Sequence, residues 1–517
     1  MSRKPGKINF CRAYFYLTSY KCIINNNNMG DVYIEIRGNR GYLVGERDYI
    51  FLEGLDLELS YIVPGAEFSK YAKRGWDCRK RLLRKDLSFS CGLVHRVVEF
   101  YKQSKKEISV IDRNKYVEPT PINILPQLKK LHKEPRYYQN DAVDACLGQH
   151  RGIVKLPTGA GKTLVSAMLV ARVGKPSILF VIGKSLLWQT HKLFEEIFNQ
   201  EIGAIGDGVC VLKDINVASI WSVGKALGVI KPTKNDDDEA PSKEKEIKQE
   251  DYDDIKRMLH ASCVNIFDEC HMGSCETFQR IAAELNGSYN IGLSASPRKG
   301  NAEDLLIESV FGNIIINISA SELIEKGYLV PPRIKFIPVE KQKSDLASYN
   351  MNYKEIYKEY IVHNDYRNGL IVRAGASLVE QGFTTLVLYR EIAHGMALYD
   401  GFVNKGIHCH NLSGSDDTER RNEIIAEVMN GKCKLLLASN IFDLGLDLPA
   451  LSGLILTGAG NSLIRTLQRI GRVIRPSPET GKTFAAVIDF EDKAKYLKQH
   501  SLFRKHIYQS EPGFEVI

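Results

Sequence analysis

The chain has 517 residues, of which 44% are hydrophobic and 26% charged, and its 70 Lys and Arg against 62 Asp and Glu give a net charge of +8. This composition is ordinary for a globular protein of about three domains and is unlike that of a disordered chain. The sequence has no run of 18 apolar residues, no recognisable signal peptide and no Cys-x-x-Cys pair, so we expect no membrane span, no secretion and no common zinc motif. The eleven cysteines are expected to be reduced thiols of a cytoplasmic protein.

The N-terminal end is basic. Residues 1–28 are expected to be a poorly structured extension, and their closing asparagine run raises the hypothesis that translation starts at Met29. Residues 29–118 predict a small basic α+β domain that binds nucleic acid, with short alternating strands at its start and an amphipathic helix over 92–104. Residues 1–115 hold 22 basic and 13 acidic residues, a net +9, which favours a polyanionic partner, although a solvated surface explains the same charge.

The positive charge is densest between residues 70 and 85, where eight of sixteen residues are basic and only Asp77 is acidic. We interpret this cluster as a surface for duplex or junction phosphates, with Lys80, Arg81 and Arg84 as candidate contacts. Trp76 has two interpretations. It is either a core residue of the small domain or a side chain that stacks on an unpaired base.

From residue 119 onward, apolar β-branched runs alternate with helical stretches, which is typical of parallel sheets covered by helices on both faces. The runs form two series, and they predict α/β domains at 119–328 and 329–517. Within the first, residues 231–256 hold ten acidic and six basic residues and few apolar ones. We expect a disordered insertion there.

A glycine-rich segment at 156–163, Leu-Pro-Thr-Gly-Ala-Gly-Lys-Thr, lies between a predicted strand and a predicted helix, which is the context of a phosphate-binding loop. Its glycines allow backbone amides to close around phosphate oxygens, and the new helix adds its positive end. Lys162 is expected to reach the β- and γ-phosphates of ATP, and Thr163 to ligate Mg²⁺. The alternative is a plain turn followed by an exposed lysine. The predicted nucleotide-binding residues of the loop are Pro157, Thr158, Gly159, Ala160, Gly161, Lys162 and Thr163.

An acidic pair, Asp268 and Glu269, follows an apolar strand about a hundred residues later. Asp268 is the expected carboxylate of the Mg²⁺ shell, and Glu269 can orient and deprotonate an attacking water. A surface Asp-Glu pair would be the ordinary alternative. The phosphate loop upstream favours the catalytic interpretation.

The ordered set of motifs between residues 130 and 500 resembles that of the superfamily 2 helicases and translocases. Asp268-Glu-Cys-His271 resembles their motif II, Ser294-Ala-Ser296 their motif III, and the segment from Gln468 to Arg475 their motif VI. The resemblance implies two RecA-like parallel-sheet domains in tandem that use ATP and Mg²⁺.

The same resemblance assigns residues on both sides of the nucleotide. Arg136-Tyr-Tyr-Gln139 resembles the adenine-recognition motif, which implies that Gln139 hydrogen-bonds the base and that Arg136 lies against it. Gln468, Arg472 and Arg475 would face the nucleotide from the second domain, where a planar guanidinium stabilises the charge of phosphoryl transfer. The i, i+3 spacing of the two arginines predicts that both lie on one side of a helix.

Less specific segments resemble motifs Ia, IV and V, which implies a groove that contacts strand phosphates without reading sequence. The implied strand contacts are Lys184, Tyr389, Arg390, Ser439 and Asn440. Gly445 and Asp447 of the same motif V segment are implied at the nucleotide.

Segments at 63–94 and 323–368 resemble the phage branch-migration helicases of the UvsW type and XPB-related DNA motors. The resemblance implies an ATP-dependent DNA helicase or translocase that moves 3′ to 5′ and remodels branched DNA, at forks, Holliday junctions, R-loops or D-loops, in recombination, repair and replication. Its partners would be branched or forked DNA, single- and double-stranded, with RNA in hybrids, together with replication or recombination proteins. We expect a monomer in the cytoplasm, which would be the host's if the chain is from a phage. Two alternatives stay open: an RNA-remodelling helicase, and the translocase subunit of a restriction system.

Overall fold

The computed structural model describes most of the chain. The described residues are 32–229, 244–298, 300, 302–340, 350–413, 416, 418–439, 448–458, 460, 462–477 and 480–517. Some of the predictions fall outside these ranges: the extension at 1–28, half of the insertion at 231–256, and the motif V residues Asn440, Gly445 and Asp447.

The N-terminal region folds around a four-stranded sheet whose order is Ser88–Ser90, Arg40–Val44, Tyr33–Arg37 and Ser109–Asp112. Its central hairpin turns at Gly38, whose φ of +57° favours glycine. The helices Tyr49–Glu58 and Val94–Gln103 cover the sheet and bury Phe51, Leu55, Val97 and Tyr101 in one core. A separate two-stranded ribbon, Ser60–Ile62 with Arg79–Arg81, carries part of the basic cluster.

The first large sheet has eight strands. The strand pairs from Gly203–Gly206 to Tyr289–Ser294 are parallel. Their apolar runs are buried, as expected for parallel strands that helices cover on both faces. In spatial order the strands are Val209–Val211, Gly203–Gly206, Ile215–Ser219, Ser177–Val181, Val264–Asp268, Tyr289–Ser294, Arg151–Lys155 and Ile314–Asn317. The helices of this part are Leu125–Lys130, Tyr137–Gln149, Lys162–Val173, Lys184–Phe198, Ile220–Ala226, Tyr252–Ala261, Glu276–Glu284 and Asp304–Phe311.

The second large sheet has seven strands, and its strand pairs are parallel. In spatial order they are Cys409–Leu412, Leu435–Ser439, Thr385–Tyr389, Gly453–Leu456, Ala485–Glu491, Pro332–Pro338 and Glu515–Val516. The helices of this part are Ala320–Glu325, Tyr353–Tyr357, Asp365–Glu380, Ile392–Asn404, Thr418–Met429, Leu463–Gly471 and Leu497–Ser510. The predicted α/β class with two parallel sheets is therefore confirmed.

The chain divides into two compact units. The first comprises Met1–Val154 and Thr163–Ile316, and the second comprises Lys155–Lys162 and Asn317–Ile517. The N-terminal region is part of the first unit, and the bounds 29–118 for a separate small domain stay a prediction.

One polar contact dominates this junction inside the first unit. Glu308 of the helix Asp304–Phe311 accepts a hydrogen bond from Arg96 at 2.5 Å and pairs with Arg298 at 3.2 Å. Gly92 packs so closely that a Cβ atom there would lie within 2.6 Å of the Ser309 carbonyl oxygen. The two parts therefore share one packed interface.

The expectation of disorder across 231–256 is wrong for residues 244–256. A helix begins at Tyr252, and Ile247 and Ile255 are buried in the core of the first sheet. Glu244 also accepts hydrogen bonds from Ser219 and Ser222. A few buried apolar residues therefore pack this segment against the first sheet, although its high charge predicted a solvated segment.

Among the described residues, no helix combines the length and the apolar character that a bilayer crossing requires.

Candidate active site

The phosphate loop has the backbone that its glycines predict. It follows the strand Arg151–Lys155, and Gly159 and Gly161 adopt φ of +87° and +84°, where a side chain would be strained. The twelve-residue helix Lys162–Val173 begins directly after the loop, so its first amides and its dipole face the same point. Thr158 Oγ1 is buried and has no hydrogen-bond partner among the described residues. A concave turn with an unsatisfied hydroxyl fits a bound phosphate.

The acidic pair lies at the end of the central strand Val264–Asp268. Asp268 Oδ1 accepts a hydrogen bond from the backbone amide of Glu269 at 3.0 Å. Glu269 adopts a left-handed φ of +52°, which costs a non-glycine residue about 1–3 kcal/mol and has to be held by its surroundings. The turn Cys270–Ser274 holds it, with the Met272 amide donating to the Glu269 carbonyl oxygen at 3.0 Å.

His271 is a site residue that sequence reasoning did not select. Its Nδ1 lies 3.2 Å from Oε2 of Glu269 and 3.4 Å from Oγ of Ser294. Ser294 ends the neighbouring strand and accepts a hydrogen bond from the Ser296 amide at 3.2 Å. His271 therefore links the acidic pair to the segment predicted as motif III, and its place in the Asp-Glu-Cys-His sequence was the available signal.

The predicted adenine motif forms the start of the helix Tyr137–Gln149. Gln139 is nearly fully buried, and its Oε1 accepts a hydrogen bond from the Arg136 amide at 2.9 Å. The Arg136 guanidinium donates to the Tyr138 hydroxyl at 3.0 Å. Both side chains are thus held at the helix start, and their role toward a base stays a prediction.

The predicted motif VI differs from expectation in its local structure. Gln468 lies on the helix Leu463–Gly471, but that helix ends at Gly471. Arg472 is the capping residue and Arg475 lies beyond it, so the prediction that both lie on one side of a helix is wrong. Lys482 shapes this turn because its buried Nζ donates to the Val473 carbonyl oxygen at 2.8 Å.

The turn after the helix Leu463–Gly471 lies close to the phosphate loop, and both belong to the second compact unit. A Cβ atom on Gly159 would lie 3.1 Å from Cγ of Arg475. A Cβ atom on Gly471 would overlap the side chain of Thr158. The Arg475 side chain is therefore a neighbour of the loop, and glycine at both positions permits the approach.

The predicted strand contacts of the two sheets have different surroundings. Lys184 forms an ion pair of 2.9 Å with Asp207, and Ser439 is buried at the end of its strand. Arg390 is exposed and lies 5.6 Å from the ring centre of Tyr357. The prediction for Tyr389 is wrong, because its ring is buried in the core and its hydroxyl donates to Asn411 at 2.7 Å.

The basic cluster of the N-terminal region also divides. Arg81 is held between Asp56 at 2.6 Å and Asp77 at 2.5 Å, so its charge is locally neutralised. Lys80 and Arg84 are exposed. Trp76 is half-buried outside the main core, and its Nε1 donates to the Arg79 carbonyl oxygen at 3.2 Å. Lys80 and Arg84 are therefore the better candidates for a phosphate.

Two protein families match the chain. The family described as "Type III restriction enzyme, res subunit" matches residues 132–299, and "Helicase conserved C-terminal domain" matches residues 371–477. Together these ranges take in just over half of the chain.

Known proteins resemble the chain over most of its length. It is 28% identical to the ATP-dependent DNA helicase uvsW of Enterobacteria phage T4 over 463 residues, which cover 84% of this chain and 86% of that protein. It is 25% identical to the DNA 3'-5' translocase XPB2 of Sulfurisphaera tokodaii over 392 residues, 69% and 83% of the two chains. A solved fragment of a putative HsdR subunit of a type I restriction enzyme from Vibrio vulnificus YJ016 has a TM-score of 0.52 at 17% identity and covers 85% of this chain and 75% of that one. This last likeness shows the fold alone.

Proposed function

Since the chain belongs to the superfamily 2 helicases, we propose that it is an ATP-dependent DNA helicase or translocase that remodels branched DNA in recombination, repair and replication. The observation that carries the proposal is the arrangement at the end of the strand Val264–Asp268. There a strained Glu269 stands beside Asp268 and is linked through His271 to the next strand. Such strain is kept where a structure over-determines it, as at an active site.

The proposed chemistry is hydrolysis of the γ-phosphate. The amides of Gly159 and Gly161 and the Lys162 ammonium bind the phosphates, and Thr163 with Asp268 would hold Mg²⁺. The Mg²⁺ ion, when bound, neutralises charge on the phosphate oxygens. Glu269 orients the attacking water and accepts its proton.

The second sheet contributes the arginines in this proposal. Arg475 lies against the phosphate loop, and Arg472 ends the preceding helix. A guanidinium in this place stabilises charge that develops in the transition state.

The choice of branched DNA rests on the relatives and on the N-terminal region. The phage relative is named a DNA helicase and the archaeal relative a DNA translocase. The exposed Lys80 and Arg84 offer phosphate contacts outside the two sheets, where a duplex arm could be held. We propose movement 3′ to 5′, the polarity for which the archaeal relative is named. We also propose that the protein acts as a monomer in the cytoplasm.

The proposal is tested by ATP turnover and strand separation on single-stranded, duplex, forked and four-way DNA and on structured RNA. We expect forked and four-way DNA to stimulate turnover most and to be remodelled. Glu269→Gln, run in parallel, should remove both activities while DNA binding persists. Stimulation by RNA alone would overturn the DNA assignment, and translocation without remodelling would favour a restriction-type motor.

A further inference from the structure

Four side chains with metal-binding atoms converge at the edge of the second sheet. The ligand atoms of His408, His410 and Cys433 all lie within 4.8 Å of one another. Glu427 Oε2 lies 2.8 Å from Nε2 of His410 and 3.9 Å from Nε2 of His408. We propose that these four residues bind a Zn²⁺ ion.

The topology explains why the four residues meet. His408 directly precedes the edge strand Cys409–Leu412 and His410 lies in it, so the two rings fall on one face by the period of two. Cys409, between them, points to the opposite face and is buried in the core of the sheet. The two histidines are therefore presented side by side, away from that core.

The other two ligands arrive through the crossover that follows. The helix Thr418–Met429 carries Glu427 in its last turn, and Cys433 precedes the strand Leu435–Ser439. The parallel register pairs Cys409 with Leu435, and the same offset brings Cys433 level with Ile407, the residue before His408. One strand–helix–strand unit thus supplies all four ligands from residues 408–433.

The donor set selects the ion. Two imidazole nitrogens, one thiolate and one carboxylate form a four-ligand set that suits zinc, whereas Mg²⁺ requires oxygen ligands. Zinc–nitrogen and zinc–sulfur bonds of about 2.0 and 2.3 Å place tetrahedral ligands roughly 3.3–3.5 Å apart. The spacing of up to 4.8 Å therefore needs side-chain rotations that close the cluster by at most about 1.3 Å.

Burial is graded across the cluster in a way that suits an ion entering from solvent. Cys433 is fully buried, the His410 side chain is one-quarter exposed and that of His408 is 65% exposed. Burial raises the pKa of the Cys433 thiol. The hydrogen bond with His410 lowers the pKa of Glu427 and keeps that carboxylate ionised.

This site is separate from the proposed nucleotide chemistry. His408 and Cys433 stand before their strands, whereas Tyr389 and Ser439, from the strand-binding segments, end theirs. In a parallel sheet, all strands begin on one side of the sheet and end on the opposite side. A metal here fastens the edge strand to its neighbour and to the crossover helix, and it stabilises the sheet by binding only the folded state.

The test uses the full-length, reduced protein with Mg²⁺ in excess, so that oxygen-ligand sites are filled. Titration with Co²⁺ should give one bound ion per chain with tetrahedral visible bands and a thiolate charge-transfer band, which Zn²⁺ then displaces. Cys433→Ser should abolish the thiolate band. His410→Gln should weaken binding by at least about tenfold, the lower end of the loss seen for residues that only support metal ligands.

The controls separate the site from general thiol and imidazole binding. Cys409→Ser changes a cysteine on the strand of His410 that faces the core, and it should keep the thiolate band. His363→Gln changes an exposed histidine elsewhere in the second unit, and it should keep the affinity for Co²⁺. His408→Gln is a second variant with an exposed side chain, whose loss leaves the core intact and should weaken Co²⁺ binding. Unchanged Co²⁺ spectra in Cys433→Ser and unchanged affinity in His408→Gln would overturn the proposal.

Discussion

The backbone conformation of Glu269 supports its assignment to the active site. Its left-handed φ is unfavourable for glutamate, and the turn Cys270–Ser274 and the contact with His271 hold it there. The sequence predicted the residue's role from its neighbours, but not this conformation. It could not do so, because the His271 ring that contacts Glu269 also contacts Ser294, which lies on a different strand.

We predict that Glu269→Gln lowers ATP turnover by about 10²–10⁴-fold, because the amide keeps the size of the side chain but cannot accept a proton. Lys162→Ala should also abolish turnover, since it removes the phosphate's ammonium partner. Both variants should still bind DNA, measured by fluorescence anisotropy. Glu276→Gln, an exposed acid at the start of the next helix, is the matched control. Normal turnover in Glu269→Gln would refute the site assignment.

Burial separates residues that the sequence treated alike. Tyr389 and Arg390 adjoin in the chain, yet the first is a core residue and the second is exposed. The strand Thr385–Tyr389 lies in the interior of the seven-stranded sheet, so the whole of it is covered. A motif resemblance cannot show that difference.

At the scale of elements, the apolar runs predicted strands in two parallel sheets, and both sheets form. They could be predicted because a strand buried on both faces is apolar throughout. The helix Tyr252–Ala261 could not, since its buried face has only Ile255 and Leu259 among charged residues. The proposed zinc cluster was missed for a different reason, because Cys433 lies well after the two histidines in the sequence.

The ribbon Ser60–Ile62 with Arg79–Arg81 and the turn that follows it at Arg84 give a prediction of their own. Replacing Lys80 and Arg84 together with Gln should weaken binding to forked DNA and reduce the salt slope of log K by about two, one unit for each phosphate that the variant no longer neutralises. Binding measured by anisotropy between low and moderate salt provides the slope.

The control for that ribbon is Arg81→Gln. Arg81 is already held by Asp56 and Asp77, so its loss should lower stability and leave the salt slope unchanged. If the double variant keeps the full slope, the ribbon does not contact phosphates.

At the scale of the whole molecule, a buried carboxylate lies at the junction between the N-terminal region and the first large sheet. Glu308 is only 3% exposed and is surrounded by His95, Arg96 and Arg298. Burial acts to raise its pKa, but hydrogen bonds from His95 and Arg96 outweigh it and hold the pKa at about 2. The sequence could not reveal this junction, because its partners are some two hundred residues apart.

We predict that Glu308→Ala destabilises the protein by about 1–3 kcal/mol, because it removes the hydrogen-bond acceptor of partly exposed cationic groups that water can solvate only in part. Chemical denaturation should show the loss, and limited proteolysis should show earlier cleavage between the N-terminal region and the first sheet. Glu250→Ala, which breaks an exposed pair with Lys248, should cost at most about 1 kcal/mol. Equal stability of the two variants would contradict this account.

The Glu308 junction also has a mechanical meaning. A domain on a flexible linker absorbs displacement as slack, whereas a domain fixed to a sheet through a buried carboxylate and a close glycine contact moves with it. The basic ribbon belongs to the same compact unit as the first sheet. Under the proposed function, nucleic acid bound by Lys80 and Arg84 would therefore move together with that sheet.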